Sequence, residues 1–168
     1  MVKTFKNDIQ KLNQTSLLKP YKFQEEDIDV MCSWDRMING NDMGLRKSLE
    51  TIYNAEIRNC FPMLLVCPSS TKYQWKELWL KVNKGRKISV IDSGIKENDF
   101  NSDVVIINYD LLGNKELISE PEDEKKKYKY TPKYSELLSV KWKYVCLDEV
   151  HYIKNSSSIR SQIIKPIS

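Results

Sequence analysis

Short, uninterrupted apolar runs that alternate with segments of helical periodicity limit the possible folds of this chain more than any other feature. Residues 63–67 and 104–107 are apolar at every position and have the length of strands. Apolar residues recur at helical spacing over residues 24–33, 47–60 and 72–81. Strands that are apolar on both faces need cover on both sides, which is typical of parallel sheets between helices. The pattern therefore predicts an α/β fold with a mainly parallel sheet flanked by helices.

The remaining segments give weaker patterns. Shorter strands are predicted at residues 87–91 and 142–147. Residues 1–19 have some apolar residues at helical spacing and are expected to form a short, loosely attached N-terminal segment. After residue 156 the sequence predicts only a short tail of mixed polarity. The helix over residues 47–60 is predicted to turn a polar stripe away from the core, formed by Glu50, Asn54 and Arg58.

The size and composition of the chain exclude several classes of protein. Its 168 residues can bury the core of one domain but not of two large ones. The chain has neither an apolar run near the ~20 residues of a membrane helix nor a signal-peptide core, so an intracellular protein without membrane contact is expected. Four cysteines without a CxxC pair, and a single histidine, disfavour a zinc site and favour reduced thiols. The net charge of +4 slightly favours a nucleic-acid partner.

Residues 37–50 combine a short apolar piece, a glycine-containing turn and the start of an amphipathic helix. This layout is typical of a phosphate-binding loop, in which backbone N–H groups and a helix N-terminus surround the phosphates. In such a loop Lys47 reaches the β- and γ-phosphates of ATP, and the Ser48 hydroxyl ligates Mg²⁺. The loop is expected to follow a strand and so to lie at the carboxyl edge of the sheet, where α/β proteins bind their ligands.

Arg46 departs from the pattern of a phosphate-binding loop, which has glycine immediately before the lysine. Glycine lets the backbone approach the phosphate and adopt conformations that a side chain penalises. If the loop needs a left-handed residue there, arginine costs about 1–2 kcal/mol in backbone strain. Its side chain also needs room beside the nucleotide. The loop taken alone therefore leaves two alternatives, a phosphate-binding loop and an ordinary turn before a helix.

A pair of carboxylates, Asp148 and Glu149, directly follows the strand predicted at residues 142–147. Beside a phosphate-binding loop, the first carboxylate holds Mg²⁺ through its water shell, and the second orients or deprotonates the attacking water. Such a pair is common, and by itself it also fits the exposed end of any strand.

The segment that begins with this pair resembles a known family. Residues 148–151, Asp-Glu-Val-His, resemble the DExH box of superfamily-two helicases, and the continuation to Arg160 resembles the Swi/Snf family of DNA-dependent ATPases. Residues 41–48 are similar to that family's Asp-Asp/Glu-Met-Gly-Leu-Gly-Lys-Thr loop. Residues 64–75 and 106–110 look like the next two motifs of the family, in the same order along the chain.

The resemblance implies a three-layer, RecA-like first motor lobe over residues 20–168, incomplete at its C-terminus. Residues 113–140 are expected to be a charged surface insertion of this lobe, part of it helical over residues 134–138. Within the insertion, the basic run at residues 125–129 fits a solvated loop better than a DNA clamp.

The resemblance also implies the residues that bind ATP and Mg²⁺. Adenine is expected beside Phe23 and Gln24, since Gln24 stands where the family has its adenine-reading glutamine. Mg²⁺ is expected between Ser48 and Asp148, with Glu149 as the water-activating residue and His151 coupling the nucleotide site to the DNA-facing surface. The phosphates are expected over the loop, formed by Asp42, Met43, Gly44, Leu45, Arg46, Lys47 and Ser48.

Double-stranded DNA is the partner that the resemblance implies. Contacts to its backbone are expected from Ser69, Ser70, Thr71, Asn108, Tyr109 and Asp110. The segment 69–71 also fits a simple helix cap. Trp75 and Trp79 share the apolar stripe of their predicted helix, so they are interpreted as core residues rather than base-stacking ones.

Two departures from the family leave three functions open. The first is Arg46, and the second is that no second-lobe motif follows the DExH box. The chain is therefore interpreted as the N-terminal lobe of an ATP-dependent DNA translocase or helicase, as a degenerate module that binds DNA or a partner without ATPase activity, or as a truncated remnant. A second RecA-like lobe, in cis or in trans, supplies catalytic arginines in this family. Without that charge, negligible ATP turnover is expected from this chain alone.

Overall fold

A four-stranded parallel sheet forms the centre of the structure, a computed structural model that describes residues 4–41, 44–95, 98–119 and 127–167. The strands are β1 (Met63–Cys67), β2 (Ile88–Val90), β3 (Val104–Asn108), β4 (Gly113–Ser119), β5 (Lys127–Pro132) and β6 (Tyr144–Leu147). The central sheet has the order β2-β3-β1-β6, and all its pairings are parallel. Strands β4 and β5 form a separate antiparallel hairpin.

Helices cover both faces of this sheet. They are α1 (Lys6–Thr15), α2 (Lys22–Cys32), α3 (Lys47–Arg58), α4 (Lys72–Val82), α5 (Glu136–Ser139) and α6 (Ile159–Ile164). Within the described ranges, none of them combines the length and the apolar character that crossing a membrane requires.

The core has two layers because successive side chains of a strand point to opposite faces. Every residue of β1 and β3 is buried. Met63, Leu65 and Cys67 of β1 pack with α1 to α4, whereas Leu64 and Val66 pack with α6 and with residues that follow β3. The predicted α/β fold with a mainly parallel sheet between helices is thereby confirmed.

The N-terminal segment is attached more firmly than its sequence predicts. Ile9 of α1 is fully buried in the same cluster as α3, and Phe5 just before the helix is also buried. The Tyr53 hydroxyl of α3 donates to Asn13 Oδ1 over 2.7 Å. The expectation of a loosely attached segment is wrong, because a few apolar residues of α1 complete the cover of α3.

Helix α3 is buried on more sides than an amphipathic pattern predicts. Glu50 and Asn54, placed on its outer stripe by sequence, are both buried. The reason is that α1, α2, α4 and the sheet surround this helix. The predicted polar stripe is wrong at these two positions, and Glu50 becomes important at the site described below.

The charged insertion folds into the β4–β5 hairpin, which the sequence did not predict. The hairpin packs on α6, a helix in the segment that was predicted to be only a short tail. Gly113 of the hairpin lies close to α6, because a Cβ there would be 2.7 Å from Ile163 Cγ1. The short helix predicted at residues 134–138 is present as α5. The tip of the insertion, including residues 125 and 126 of the basic run, lies outside the described residues.

A buried carboxylate, Glu56, ties α3 to α4 and to the segment before β2. Its side chain is 4% exposed. It accepts hydrogen bonds from Trp79 Nε1 and Asn83 Nδ2, both 3.0 Å long, and from the Arg86 guanidinium at 2.9–3.2 Å. The same guanidinium lies 3.7 Å from the centroid of the Phe61 ring. Glu56 therefore links α3, α4 and the segment before β2 through one buried network of hydrogen bonds.

We expect Glu56→Gln to lower the free energy of unfolding by about 2–3 kcal/mol, because the amide keeps the volume but turns its own N–H group toward the neighbouring donors. It also removes the carboxylate nearest to Arg86, whose other ion pair, with Asp103, is longer at 3.9 Å. Chemical denaturation of the chain and the variant measures this. The matched control is Glu77→Gln on the exposed side of α4, where a change within about 0.5 kcal/mol is expected. Equal effects of the two variants would contradict the assigned role of Glu56.

Candidate functional site

The carboxyl ends of β1, β3 and β6 bring several of the predicted functional segments to one edge of the sheet. Ser69 and Ser70 follow β1, Asp110 follows β3, and Asp148 follows β6. Helix α3 comes close to the same edge, since Thr51, one turn into the helix, is near enough to the Cys146 thiol, two residues before Asp148, to act on its pKa. Burial raises the pKa of that thiol to about 12, so it stays neutral. The second turn of α3 thus lies near the end of β6, which Asp148 follows.

The loop that precedes α3 has the left-handed backbone that a phosphate-binding turn uses. Gly44 has φ 87°, and Arg46, at the N-cap of α3, has φ 56° and ψ 41°. Arg46 therefore adopts the conformation that favours glycine. The expectation of a strand before the loop is wrong, because residues 34–41 form none and Ile38 is 84% exposed.

Lys47 and Ser48 form the first positions of α3. The Lys47 ammonium donates to the carbonyl oxygen of Asn41 over 2.7 Å, so it spans the two sides of the loop. Ser48 is half-buried beside it. Asp42 and Met43, which the sequence assigned to the phosphates, lie outside the described residues.

Gln24 fixes the loop to the start of α2. Its Nε2 donates to the carbonyl oxygens of Leu45 and Arg46, over 2.9 and 3.3 Å, and its Oε1 accepts the Tyr21 N–H over 3.0 Å. The side chain is fully buried. The structure thus places Gln24 beside the loop and engages its amide within the protein. Phe23 is 43% exposed and stacks on Tyr21 with 5.9 Å between ring centroids. Contact of Gln24 and Phe23 with adenine remains a prediction.

Glu50 is a buried acid behind the loop that sequence reasoning missed. Its carboxylate accepts from Gln24 Nε2 over 3.1 Å, from Asn39 Nδ2, and from Asn41 Nδ2 over 3.4 Å. Both sides of the loop are therefore held to one carboxylate. Burial raises the pKa of Glu50 above its ordinary value of 4.5, although the bonds from Gln24 and Asn39 act in the opposite direction. No signal in the sequence marked this residue, because its position suits the exposed side of a simple amphipathic helix.

The two residues of the acidic pair differ, because Asp148 is held by hydrogen bonds and Glu149 is more exposed. Asp148 Oδ2 accepts from Trp75 Nε1 over 2.9 Å, and the Asp148 carbonyl accepts from the Tyr109 hydroxyl over 2.6 Å. Glu149 follows in a left-handed conformation with φ 56°, and its Oε2 lies 3.1 Å from His151 Nδ1. The interpretation of Trp75 as a core residue is confirmed by its 3% exposure. Its bond to Asp148 was not foreseen.

Two stacked aromatic rings connect the segment after β6 to the segment after β3. Tyr109 stacks on Tyr152 with 5.0 Å between centroids and 3° between planes. The Arg160 guanidinium lies 5.2 Å from the Tyr152 centroid and donates to Asp110 Oδ1 over 2.6 Å. Burial raises the pKa of the Tyr109 hydroxyl above its ordinary value.

The predicted DNA contacts divide by exposure. Asn108 and Tyr109 are buried, so their side chains offer little surface to DNA, and a DNA contact of the 108–110 stretch remains a prediction. Ser69 and Ser70 are exposed. Thr71 donates to the Pro68 carbonyl and makes no side-chain cap to α4, so the helix-cap alternative fails at that residue.

Because the pKa of Glu50 is raised in the folded chain, the folded state binds more protons than the unfolded state between pH 4.5 and the raised value. The chain should therefore gain stability as the pH falls through that window and lose it as the pH rises. Glu50→Gln cannot titrate, and we expect its stability to follow pH less steeply there. Urea denaturation of both proteins from neutral to acidic pH measures the difference. Parallel curves for the two proteins would refute the burial effect.

Comparison with known proteins identifies what the chain is similar to. The family profile described as the SNF2-related domain matches residues 23–168. The SWI/SNF-related matrix-associated actin-dependent regulator of chromatin subfamily A-like protein 1 of Xenopus laevis is 27% identical over 150 residues, which cover 86% of this chain and 14% of that protein. The ISWI chromatin-remodeling complex ATPase ISW1 of Saccharomyces cerevisiae is 29% identical over 168 residues, covering 88% of this chain and 13% of that protein.

Among solved structures, the Sulfolobus solfataricus SWI2/SNF2 ATPase core in complex with dsDNA matches with a TM-score of 0.64 and 25% identity. The match covers 91% of this chain and 32% of the other. The chain thus spans only a small part of the length of these relatives.

Proposed function

The chain belongs to the SNF2-related domain family, and we propose that it is the ATP-binding first lobe of an ATP-dependent DNA translocase. The observation that carries the proposal is the meeting of two segments at one edge of the sheet. The start of α3 and the pair Asp148-Glu149 both lie toward this edge, since Thr51, one turn into α3, is near enough to the Cys146 thiol, two residues before Asp148, to act on its pKa. A phosphate-binding turn beside two carboxylates is the arrangement that phosphoryl transfer from a nucleotide requires.

The residues present fit ATP and Mg²⁺. A helix N-terminus and the Lys47 ammonium offer positive charge to phosphates. Apart from the chain neighbours of Gly44, no described atom lies within 4 Å of where a Cβ on Gly44 would be, so the turn is open on that side. The Ser48 hydroxyl and the Asp148 carboxylate are oxygen ligands of the kind that Mg²⁺ prefers. When bound, Mg²⁺ neutralises charge on the phosphates.

Each protein group has a specific task in this proposal. The Lys47 ammonium gives up its hydrogen bond to the Asn41 carbonyl and donates to a phosphate oxygen instead. Glu149 orients the attacking water, and His151, 3.1 Å from its carboxylate, holds it in place. The bond from Trp75 fixes the orientation of Asp148. Arginines of a second RecA-like lobe complete the site, so the chain alone turns over ATP negligibly.

Double-stranded DNA is the proposed partner, bound by the exposed end of β1 through Ser69, Ser70 and Thr71. This is supported by the net charge of +4 and by the DNA-bound structure of the similar SWI2/SNF2 core. The intact protein would act in the compartment that holds DNA, the nucleus or nucleoid. The degenerate-module and remnant alternatives are less well supported, because Arg46 keeps the backbone conformation that glycine favours.

Calorimetry with Mg-ATP tests the nucleotide site. We expect the chain to bind, and Lys47→Ala to weaken binding by about tenfold or more, because a hydrogen bond to a charged group is worth about 1.5–3 kcal/mol. Arg46→Gly should bind about as well as the chain, since Arg46 is already left-handed without nucleotide and its strain is not a cost of binding.

Two results would contradict this proposal. Binding that appears only in Arg46→Gly would favour the degenerate module. If the chain and Arg46→Gly both fail to bind, the site assignment is wrong or depends on the second lobe, and the same titrations on a two-lobed protein decide between these.

The DNA surface is tested by adding charge at the end of β1. The double variant Ser69→Glu and Ser70→Glu should weaken binding to a short duplex by about threefold or more, because both carboxylates oppose phosphates. Binding should also fall as salt rises. The double variant Ser135→Glu and Ser139→Glu is the matched control, since it adds the same two charges at exposed positions in the segment that leads to the amino end of β6, at the opposite edge of the sheet. An equal loss in the control would show that net charge alone is responsible.

A further inference from the structure

The position of the Arg46 side chain explains how the loop accommodates an arginine where glycine is expected. Its guanidinium carbon lies 5.5 Å from the centroid of the Tyr21 ring, just before α2. Tyr21 is 55% exposed, so this contact forms at the surface beside the loop. The side chain thus has a defined neighbour on the α2 side of the loop.

Arg46 and Tyr21 are also connected through the buried amide of Gln24. The Tyr21 N–H donates to Gln24 Oε1, and Gln24 Nε2 donates to the Arg46 carbonyl over 3.3 Å. The backbone of both residues is therefore held at a fixed separation. Phe23 stacks on Tyr21 with 15° between the ring planes, which restrains the ring that meets the guanidinium. The contact is built into the loop rather than made by two freely moving side chains.

The side chain of an arginine beside a phosphate site can take one of two positions. It can extend into the turn, where its bulk occupies the space of a phosphate, or it can rest on an aromatic face, which a guanidinium prefers because its charge is attracted to the ring. We propose that Tyr21 is a positioning residue for the phosphate-binding loop: by holding the Arg46 guanidinium at the start of α2, it keeps the turn before Lys47 open to a phosphate. This inference rests on the proposed ATP-binding function.

The proposal predicts that Tyr21 matters only while residue 46 is arginine. Calorimetry with Mg-ATP is carried out on the chain, Tyr21→Leu, Arg46→Gly and the double variant. Tyr21→Leu should weaken binding about two- to fivefold, which is the range that an exposed cation–π contact supplies. In the Arg46→Gly background the same change should leave the affinity unaltered, because no guanidinium remains to be held.

Inorganic tripolyphosphate with Mg²⁺ is the second probe, used in competition with ATP. It has no base, so the effect of Tyr21→Leu should persist with it if Tyr21 acts through Arg46. Tyr21→Phe keeps the ring and should bind as the chain does. Tyr128→Leu is the matched control, because it removes a ring under another cation, Lys115, whose Nζ lies 3.5 Å from the Tyr128 centroid in the β4–β5 hairpin. It should not change affinity.

Several outcomes would overturn the inference and leave ATP binding in place. An equal loss from Tyr21→Leu in both backgrounds, absent with tripolyphosphate, would mean that Tyr21 contacts the base. Tighter binding by Tyr21→Leu would mean that the released guanidinium binds phosphate. Unchanged affinity of Tyr21→Leu while residue 46 is arginine would mean that the Tyr21 ring does not keep the guanidinium out of the phosphate site. Failure of every variant to bind either probe would instead overturn the proposed function, and this inference with it.

Discussion

The pairing of β1 with β3 is the constraint on which the rest of the structure depends. Both strands are buried at every position, so neither face of the pair can meet water. Helices α1 to α4 must cover one face, while α5, α6 and the residues after β3 cover the other. Because the strands run parallel, their carboxyl ends meet at one edge. Packing demands of the core thus determine where the polar segments of the chain come together.

Hydrogen bonds from buried groups then determine the shape of that edge. Gln24 and Glu50 hold both sides of the loop, and Trp75 and Tyr109 hold Asp148 from α4 and from the end of β3. Among the described residues, every buried polar side-chain atom has a hydrogen-bond partner. A polar network in a low-dielectric interior is costly unless it is complete. Complete hydrogen bonding of these buried groups therefore fixes the position of Gln24, Glu50 and Asp148 at this edge.

The sequence predicted the elements whose environment is simple and missed those whose environment is not. Strand β1 was predicted with its observed bounds, because an uninterrupted apolar run between proline residues has few other interpretations. Glu50 was misplaced because hydrophobic periodicity assumes one solvent face, and α3 has almost none. The β4–β5 hairpin was missed because charged residues occupy both its strands, and what it packs on, α6, comes much later in the chain. The candidate carboxylates were found by motif, but the groups that orient them, such as Trp75, depend on tertiary contacts that no local pattern contains.

Backbone strain gives independent support for the position of the site. Among the described residues, those other than glycine with positive φ are Arg46, Asn59 and Glu149. Asn59 ends α3 as its C-cap, a place where asparagine commonly adopts this conformation. Arg46 and Glu149 have no such reason, and each costs about 1–2 kcal/mol.

Strain of this kind persists where the surrounding structure imposes it, and it clusters at functional sites. Here it falls on the residue that precedes Lys47 and on the carboxylate that follows Asp148. An ordinary turn before a helix would need neither, so the strain favours a loop shaped for phosphate over a loop that merely connects two helices.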